Sequence, residues 1–274
     1  MMKILFRVDA YPQIALGHLK RCINLSLILK KNGHRIIFVC YDDITTISNL
    51  SQNNLQYKIV PFKINDDKTK KEELLYLKKL SESIDLLIID SYKVDNKYFN
   101  YLNKYFKKIA YLDDLKYNFD VDLAINNSCN IKKNGFKANN SLCGLQYTIL
   151  GNEFKIGRLK PIDFKKKSIL ITMGGVDHYD LTSQIILILE KISPKVEVNV
   201  VIGPYYKNVE KIKSTVKKSR LVINIFENKS NIVPIMLRSN LAVTAGGTTS
   251  YELAALSIPS VGIALWKNQK DNIR

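Results

Sequence analysis

Lys3-Ile4-Leu5-Phe6-Arg7-Val8, followed after a short loop by Gly17-His18-Leu19-Lys20-Arg21-Cys22, decides how this chain is read. The first stretch is a nearly unbroken apolar run, the pattern of a strand buried on both faces. The second opens a segment with apolar residues at helical spacing. A strand that turns into a helix in this way begins a βαβ unit, and in such sheets ligands bind beyond the carboxyl ends of the strands. His18 stands on that first turn. The positive end of the helix disfavours an imidazolium there and leaves a neutral ring able to accept a proton. Read locally, two roles are open to His18: a proton acceptor in a site, or a helix-start residue beside a glycine that the turn needs.

Working outward, the same rhythm recurs through the chain. The first half predicts strands over residues 3–8, 35–40, 57–60, 86–89, 108–112 and 123–125, separated by helices to about 31, over 43–53, over 68–81 and from about 95. Residues 115–150 are otherwise less regular, and the polar, lysine-containing stretch 152–167 reads as an interdomain linker. The rhythm restarts with strands over 168–172, 196–202, 221–225, 241–244 and 260–264, with helices between them. The expected fold is α/β, two Rossmann-like parallel-sheet domains facing one cleft, the first over residues 1–152 and the second over 153–274. A length of 274 residues agrees, being more than one hydrophobic core usually spans.

Composition narrows the function classes. The net charge of +17 raises nucleic-acid binding, but the lysines are spread over many helical segments and form no single stripe with interleaved aromatics, so no nucleic-acid partner is expected. Cys22, Cys40, Cys129 and Cys143 show no CxxC or zinc-like spacing with histidine, which fits reduced thiols in a cytoplasm. The start of the chain does not read as a signal peptide and no apolar stretch reaches the length of a membrane span, so no stable membrane insertion is expected. No clustered Asp, Glu and His set points to a metal. The oligomeric state leaves no mark on the sequence.

Two glycine turns carry an anion argument. A strand ending in Gly246-Gly247 and entering a helix at Thr248-Thr249 exposes unpaired backbone N–H groups that a diphosphate can approach closely. Glu252, one turn further, is placed to accept both hydroxyls of a ribose whose phosphates occupy the helix start. Thr249-Ser250-Tyr251-Glu252 reads equally as a capping box. Gly174-Gly175 makes a second such turn, and glycine is common at tight strand-to-helix connections. Neither turn spells a dinucleotide fingerprint or a P-loop. His34 and His178 are accounted for by a helix C-terminus and a surface loop.

Phe6-Arg7-Val8-Asp9-Ala10 through Cys22, Ile89-Asp90-Ser91-Tyr92, Leu112-Asp113-Asp114-Leu115, Met173-Gly174-Gly175 with Asp177, Gly246 to Glu252, and Asn268-Gln269 together resemble, in order along nearly the whole chain, the UDP-sugar hydrolases of the pseudaminic-acid pathway. These cleave UDP-2,4-diacetamido-2,4,6-trideoxy-β-L-altropyranose and look like hydrolytic relatives of the GT-B glycosyltransferases. The resemblance implies a UDP-sugar substrate, no cofactor, and His18 as the general base that activates water at the anomeric carbon with inversion. It further implies a substrate-binding set of Gly17, Arg21, Tyr92, Gly174, Gly175, Asp180, Gly247, Thr248, Thr249, Glu252, Asn268 and Gln269. Two positions depart from the family pattern: Ala15 where the first glycine of GxGH is usual, and Asp180 where relatives tend to carry Asn. The chain ends at Arg274 inside what reads as a helix, so a truncated second domain with reduced stability is expected.

Overall fold

A computed structural model describes residues 1–11, 16–60, 65–113, 115, 118–128, 137–157, 167–193, 195–227, 229 and 231–273. Ala15, Asp114 and Cys129 lie outside the described residues. The chain divides into two compact units, Met1–Ile149 and Leu150–Arg274.

The first unit runs β1 (Lys3–Val8), α1 (Gly17–Lys31), β2 (Arg35–Tyr41), α2 (Ile44–Gln52), β3 (Gln56–Val60), α3 (Asp67–Ser81) and β4 (Leu86–Asp90). It continues through α4 (Asn96–Leu102), β5 (Ile109–Leu112), β6 (Leu123–Asn126) and β7 (Asn140–Cys143). All strands pair in parallel, in the order β3-β2-β1-β4-β5-β6-β7. Central strands β1 and β4 are buried almost throughout, as their continuous aliphatic runs require. Helix starts are set by side chains: Asp43 caps α2, Asp66 with Thr69 forms a capping box on α3, and Asp95 caps α4. One face of the sheet packs Leu5, Val39, Leu87, Ile89, Tyr98, Phe99, Tyr111 and Phe119 into a single core.

The second unit runs α5 (Asn152–Gly157), β8 (Ser168–Thr172), α6 (Leu181–Ile192), β9 (Glu197–Ile202), α7 (Val209–Lys218) and β10 (Val222–Glu227). Then come α8 (Val233–Met236), β11 (Leu241–Ala245), α9 (Thr248–Ala255), β12 (Ser260–Ile263) and a terminal 3-10 helix, Lys267–Asn272. Its sheet is again all parallel, in the order β10-β9-β8-β11-β12. The stretch read as a linker begins with a helix instead: α5 joins the second unit through Phe154, which is buried against Leu170, Met236, Leu253 and Leu256. One apolar residue at the right place outweighs the polar composition around it. Residues 158–166 of that stretch lie outside the described residues.

In both units the strand order reverses at the first strand, β1 next to β4 and β8 next to β11, and turns at such switch points form binding crevices at the carboxyl ends. His18 follows β1, Tyr92 follows β4, the Gly174-Gly175 pair follows β8, and Gly246-Gly247 follows β11.

Candidate functional site

In the first unit the residues singled out from the sequence converge on a carboxylate that had been given no role. Asp90, the last residue of β4, is fully buried. His18 and Arg21, with Cys22, share one face of α1 through their i, i+3 and i+4 spacing, and β4 lies beside β1, so that face meets the end of β4. His18 Nδ1 hydrogen-bonds Asp90 Oδ1. Arg21 donates to the same carboxylate from Nε, and from Nη2 at 2.6 Å, while the Cys22 thiol reaches Oδ2 at 3.4 Å. Gly17 opens the helix, and the Tyr92 ring meets His18 edge-on, with centroids 4.4 Å apart at 82°.

This geometry assigns the tautomer. A carboxylate only accepts, so its contact with Nδ1 places the proton on Nδ1 and leaves the Nε2 lone pair available. Among the described residues nothing hydrogen-bonds Nε2. Burial by itself would push the Asp90 carboxyl up, but the Arg21 guanidinium and His18 outweigh it and hold it well below the usual carboxylate range. Arg21 lies within 3.1 Å of His18 Nδ1 and pairs with the Asp90 carboxylate through Nε and Nη2.

Beside this group lies a second buried ion cluster. Arg7 donates to Glu73 at 2.7 and 2.9 Å, to Asp9, and to the Tyr41 hydroxyl at 2.5 Å. Tyr98 donates to Glu73 at 2.6 Å, and Ser91 Oγ to Asp9 at 2.6 Å. The Asp9 amide also donates to the Asp90 carbonyl at 3.0 Å, so the cluster braces the turn that carries Asp90, Ser91 and Tyr92.

In the second unit the two glycine turns differ. At the first, Gly174 takes a left-handed φ of 75°, a conformation that favours glycine. The start of α6 is already filled by a carboxylate of the chain itself: Asp177 accepts from the Leu181 and Thr182 amides at 2.9 and 2.8 Å. Asp180 is left-handed too, at φ 50°, which Asp and Asn both tolerate. Its side chain accepts from Ser183 at 2.8 Å and Tyr206 at 2.6 Å and pairs with Lys211, which together hold the carboxyl below its usual range against the effect of burial.

At the second turn no side chain caps α9, whose N-cap is Gly247. The capping-box reading of Thr249 and Glu252 fails here because both residues lie inside the helix. A Cβ placed on Gly247 would make an ordinary contact with Gln269 Nε2 at 3.9 Å, with no backbone atom closer than that. Gln269 Oε1 accepts from the Leu265 amide at 2.9 Å. Asn272 donates to the Gly246 carbonyl at 2.8 Å and accepts from Tyr251 at 2.6 Å, fixing the terminal 3-10 helix against the turn. Thr248 and Thr249 form the first turn of α9 and Glu252 is buried one turn in. The side chain of Asn268 lies outside those described. Among the described residues no group of three or more His, Cys, Asp or Glu is placed to hold a metal ion, and no helix is long and apolar enough to cross a membrane.

No family model matches the chain. It is 27% identical over 280 residues to the UDP-2,4-diacetamido-2,4,6-trideoxy-β-L-altropyranose hydrolase of Campylobacter jejuni, covering 98% of this chain and 94% of that protein. It is 26% identical over 283 residues to an uncharacterized protein of Methanocaldococcus jannaschii, covering 98% of this chain. The chain spans 56% of the length of that archaeal relative. Among solved structures it is similar to Acinetobacter baumannii MurG, with a TM-score of 0.67 at 12% identity, covering 98% of this chain and 81% of that one. It is also similar to Anabaena HepE in complex with UDP and glucose, with a TM-score of 0.59 at 12% identity over 96% and 80% of the two chains. These likenesses show the fold: two parallel-sheet α/β domains of the GT-B type.

Proposed function

We propose that the protein hydrolyses a UDP-linked 2,4-diacetamido-2,4,6-trideoxy sugar to the free sugar and UDP, a step of nonulosonate biosynthesis. The observation that carries the reading is the His18–Asp90 pair. With Nδ1 protonated and turned to the carboxylate, Nε2 takes a proton from water as the water oxygen bonds to the anomeric carbon. The anomeric C–O bond breaks, its electron pair leaves with the UDP diphosphate, and the configuration inverts. Asp90 stabilises the imidazolium that forms. The uncapped start of α9, with Gly247, Thr248 and Thr249, takes the diphosphate on which negative charge develops, and Glu252 takes the ribose hydroxyls. Tyr92, whose ring meets His18, is assigned to the sugar, as is Gln269 beside Gly247. Arg21 acts through Asp90 instead of touching substrate.

Similarity to the Campylobacter hydrolase over nearly the full length of both chains supports the substrate and the reaction. The GT-B glycosyltransferase neighbours favour one other reading, transfer of the sugar to an acceptor other than water. The test is NMR of the UDP-diacetamido sugar in ¹⁸O-enriched water, with native protein and His18→Asn. Free sugar carrying the label at its anomeric oxygen, with UDP unlabelled and release abolished in the variant, supports hydrolysis by His18. UDP binding with no release until an acceptor is added supports transfer.

A further inference from the structure

An aromatic pair spans the carboxyl end of β11, outside every residue given a role so far. Strands β8 and β12 flank β11, and from the loops that follow them His178 and Trp266 meet edge to face, with centroids 5.7 Å apart at 89°. Trp266 is 52% exposed, a large apolar face left in water, and His178 is exposed as well. The pair lies next to the uncapped α9 turn: the Gln269 backbone N–H donates to the Trp266 carbonyl at 3.0 Å, and the same residue's side-chain Nε2 lies 3.9 Å from a Cβ placed on Gly247. An exposed indole held at a fixed angle beside open backbone amides is suited to a ligand with an anionic end and an apolar face.

We propose that Trp266, oriented by His178, is a ring platform for the glycosyl group of the nucleotide sugar and discriminates sugars carrying methyl and acetamido groups from fully hydroxylated ones. The inference rests on the proposed function, since the phosphates must sit at α9 for the sugar to reach the ring. Its chemistry is that of the flat face: C–H and methyl groups pack on the indole, whereas a hydroxyl turned to that face loses water without gaining a partner. The Gln269 amide, one 3-10 turn away, is placed to meet the polar edge of the same sugar.

Trp266 is the sole tryptophan of the chain, so its emission reports on the platform alone. Native protein is titrated with UDP, UDP-glucose and UDP-N-acetylglucosamine while calorimetry records binding independently. The expected result is that UDP binds with little change in emission and that the acetamido sugar nucleotide quenches or blue-shifts it more than UDP-glucose does. Trp266→Ala is expected to weaken binding of UDP-N-acetylglucosamine by about tenfold while leaving UDP within about twofold, and Trp266→Phe to restore most of the loss. Equal emission changes with UDP and both sugar nucleotides overturn the sugar assignment, because the ring then senses the nucleotide. Calorimetric binding with no emission change removes the platform while leaving the proposed function standing. Absence of heat with every ligand overturns the proposed function and the platform with it.

Discussion

His18 Nδ1 is bound to Asp90 Oδ1 across the end of the first sheet, from the second residue of α1 to the last residue of β4. The pairing fixes which ring nitrogen carries the proton and so which one is available as a base. Asp90→Asn preserves shape but offers Nδ1 an amide that can donate, which favours the wrong tautomer. UDP release is expected to fall by about 10²–10⁴ in kcat with KM little changed, measured by a coupled UDP assay. A fall confined to KM would show that Asp90 serves binding instead.

Arg21 keeps Asp90 ionised, and its removal has a predicted sign. Because the folded carboxyl is held below its unfolded value, the stability it contributes is fully present above the unfolded value, near 3.9, and is lost only as pH falls through the depressed folded one. Arg21→Met leaves burial unopposed except by His18, so the carboxyl titrates higher. The acid limb of the activity profile is expected to move to higher pH, and the variant to lose stability by about 3–5 kcal/mol because a buried charge loses its partner. Activity against pH alongside urea unfolding checks both.

The buried cluster at Arg7 predicts a different asymmetry. Among the described residues Arg7 is the cation that pairs with both Asp9 and Glu73, and the hydroxyls of Tyr41 and Tyr98 join the cluster. Arg7→Met strands two carboxylates in the core and is expected to cost about 3–5 kcal/mol, whereas Tyr98→Phe removes one donor and is expected to cost about 1–3 kcal/mol. Urea midpoints rank the two, and equal losses would contradict the account.

How much of this was legible in the sequence depends on range. Strands β1, β4, β8 and β11 announce themselves through apolar runs ending at Asp or Gly turns, and the start of α1 lies where the Gly17-His18 pattern puts it. β7 was missed because Asn140-Ser141-Leu142-Cys143 is a polar edge segment without a β-branched run, and α8 because it is a single turn. Asp90 was quoted as part of a motif yet given no role, since its partnership with His18 depends on β4 lying beside β1, which no local pattern encodes. The same holds for Arg21, whose charge is directed inward to Asp90, and for Asp180, whose partners Tyr206 and Lys211 come from the far side of β9.

Glu252 carries the prediction for nucleotide recognition. If its carboxylate accepts from both ribose hydroxyls, Glu252→Gln weakens UDP binding by about 10–100-fold, the loss of a charge-assisted hydrogen bond. The 2′-deoxy analogue of UDP should bind native protein more weakly but lose little further in the variant. Calorimetry over the four combinations gives the coupling, and independent losses would move Glu252 away from the ribose.

Asp177 supplies the counterpart in the same unit. It fills the start of α6 with its own carboxylate, so that helix end should offer an external anion nothing. Asp177→Ala exposes the Leu181 and Thr182 amides and is expected to destabilise the protein by about 0.5–2 kcal/mol, as loss of a helix cap does, while UDP affinity stays within about twofold. Thermal unfolding and UDP calorimetry on one preparation separate the two effects. A large loss of UDP affinity with unchanged stability would move the diphosphate from the open turn of α9 to the Gly174-Gly175 turn.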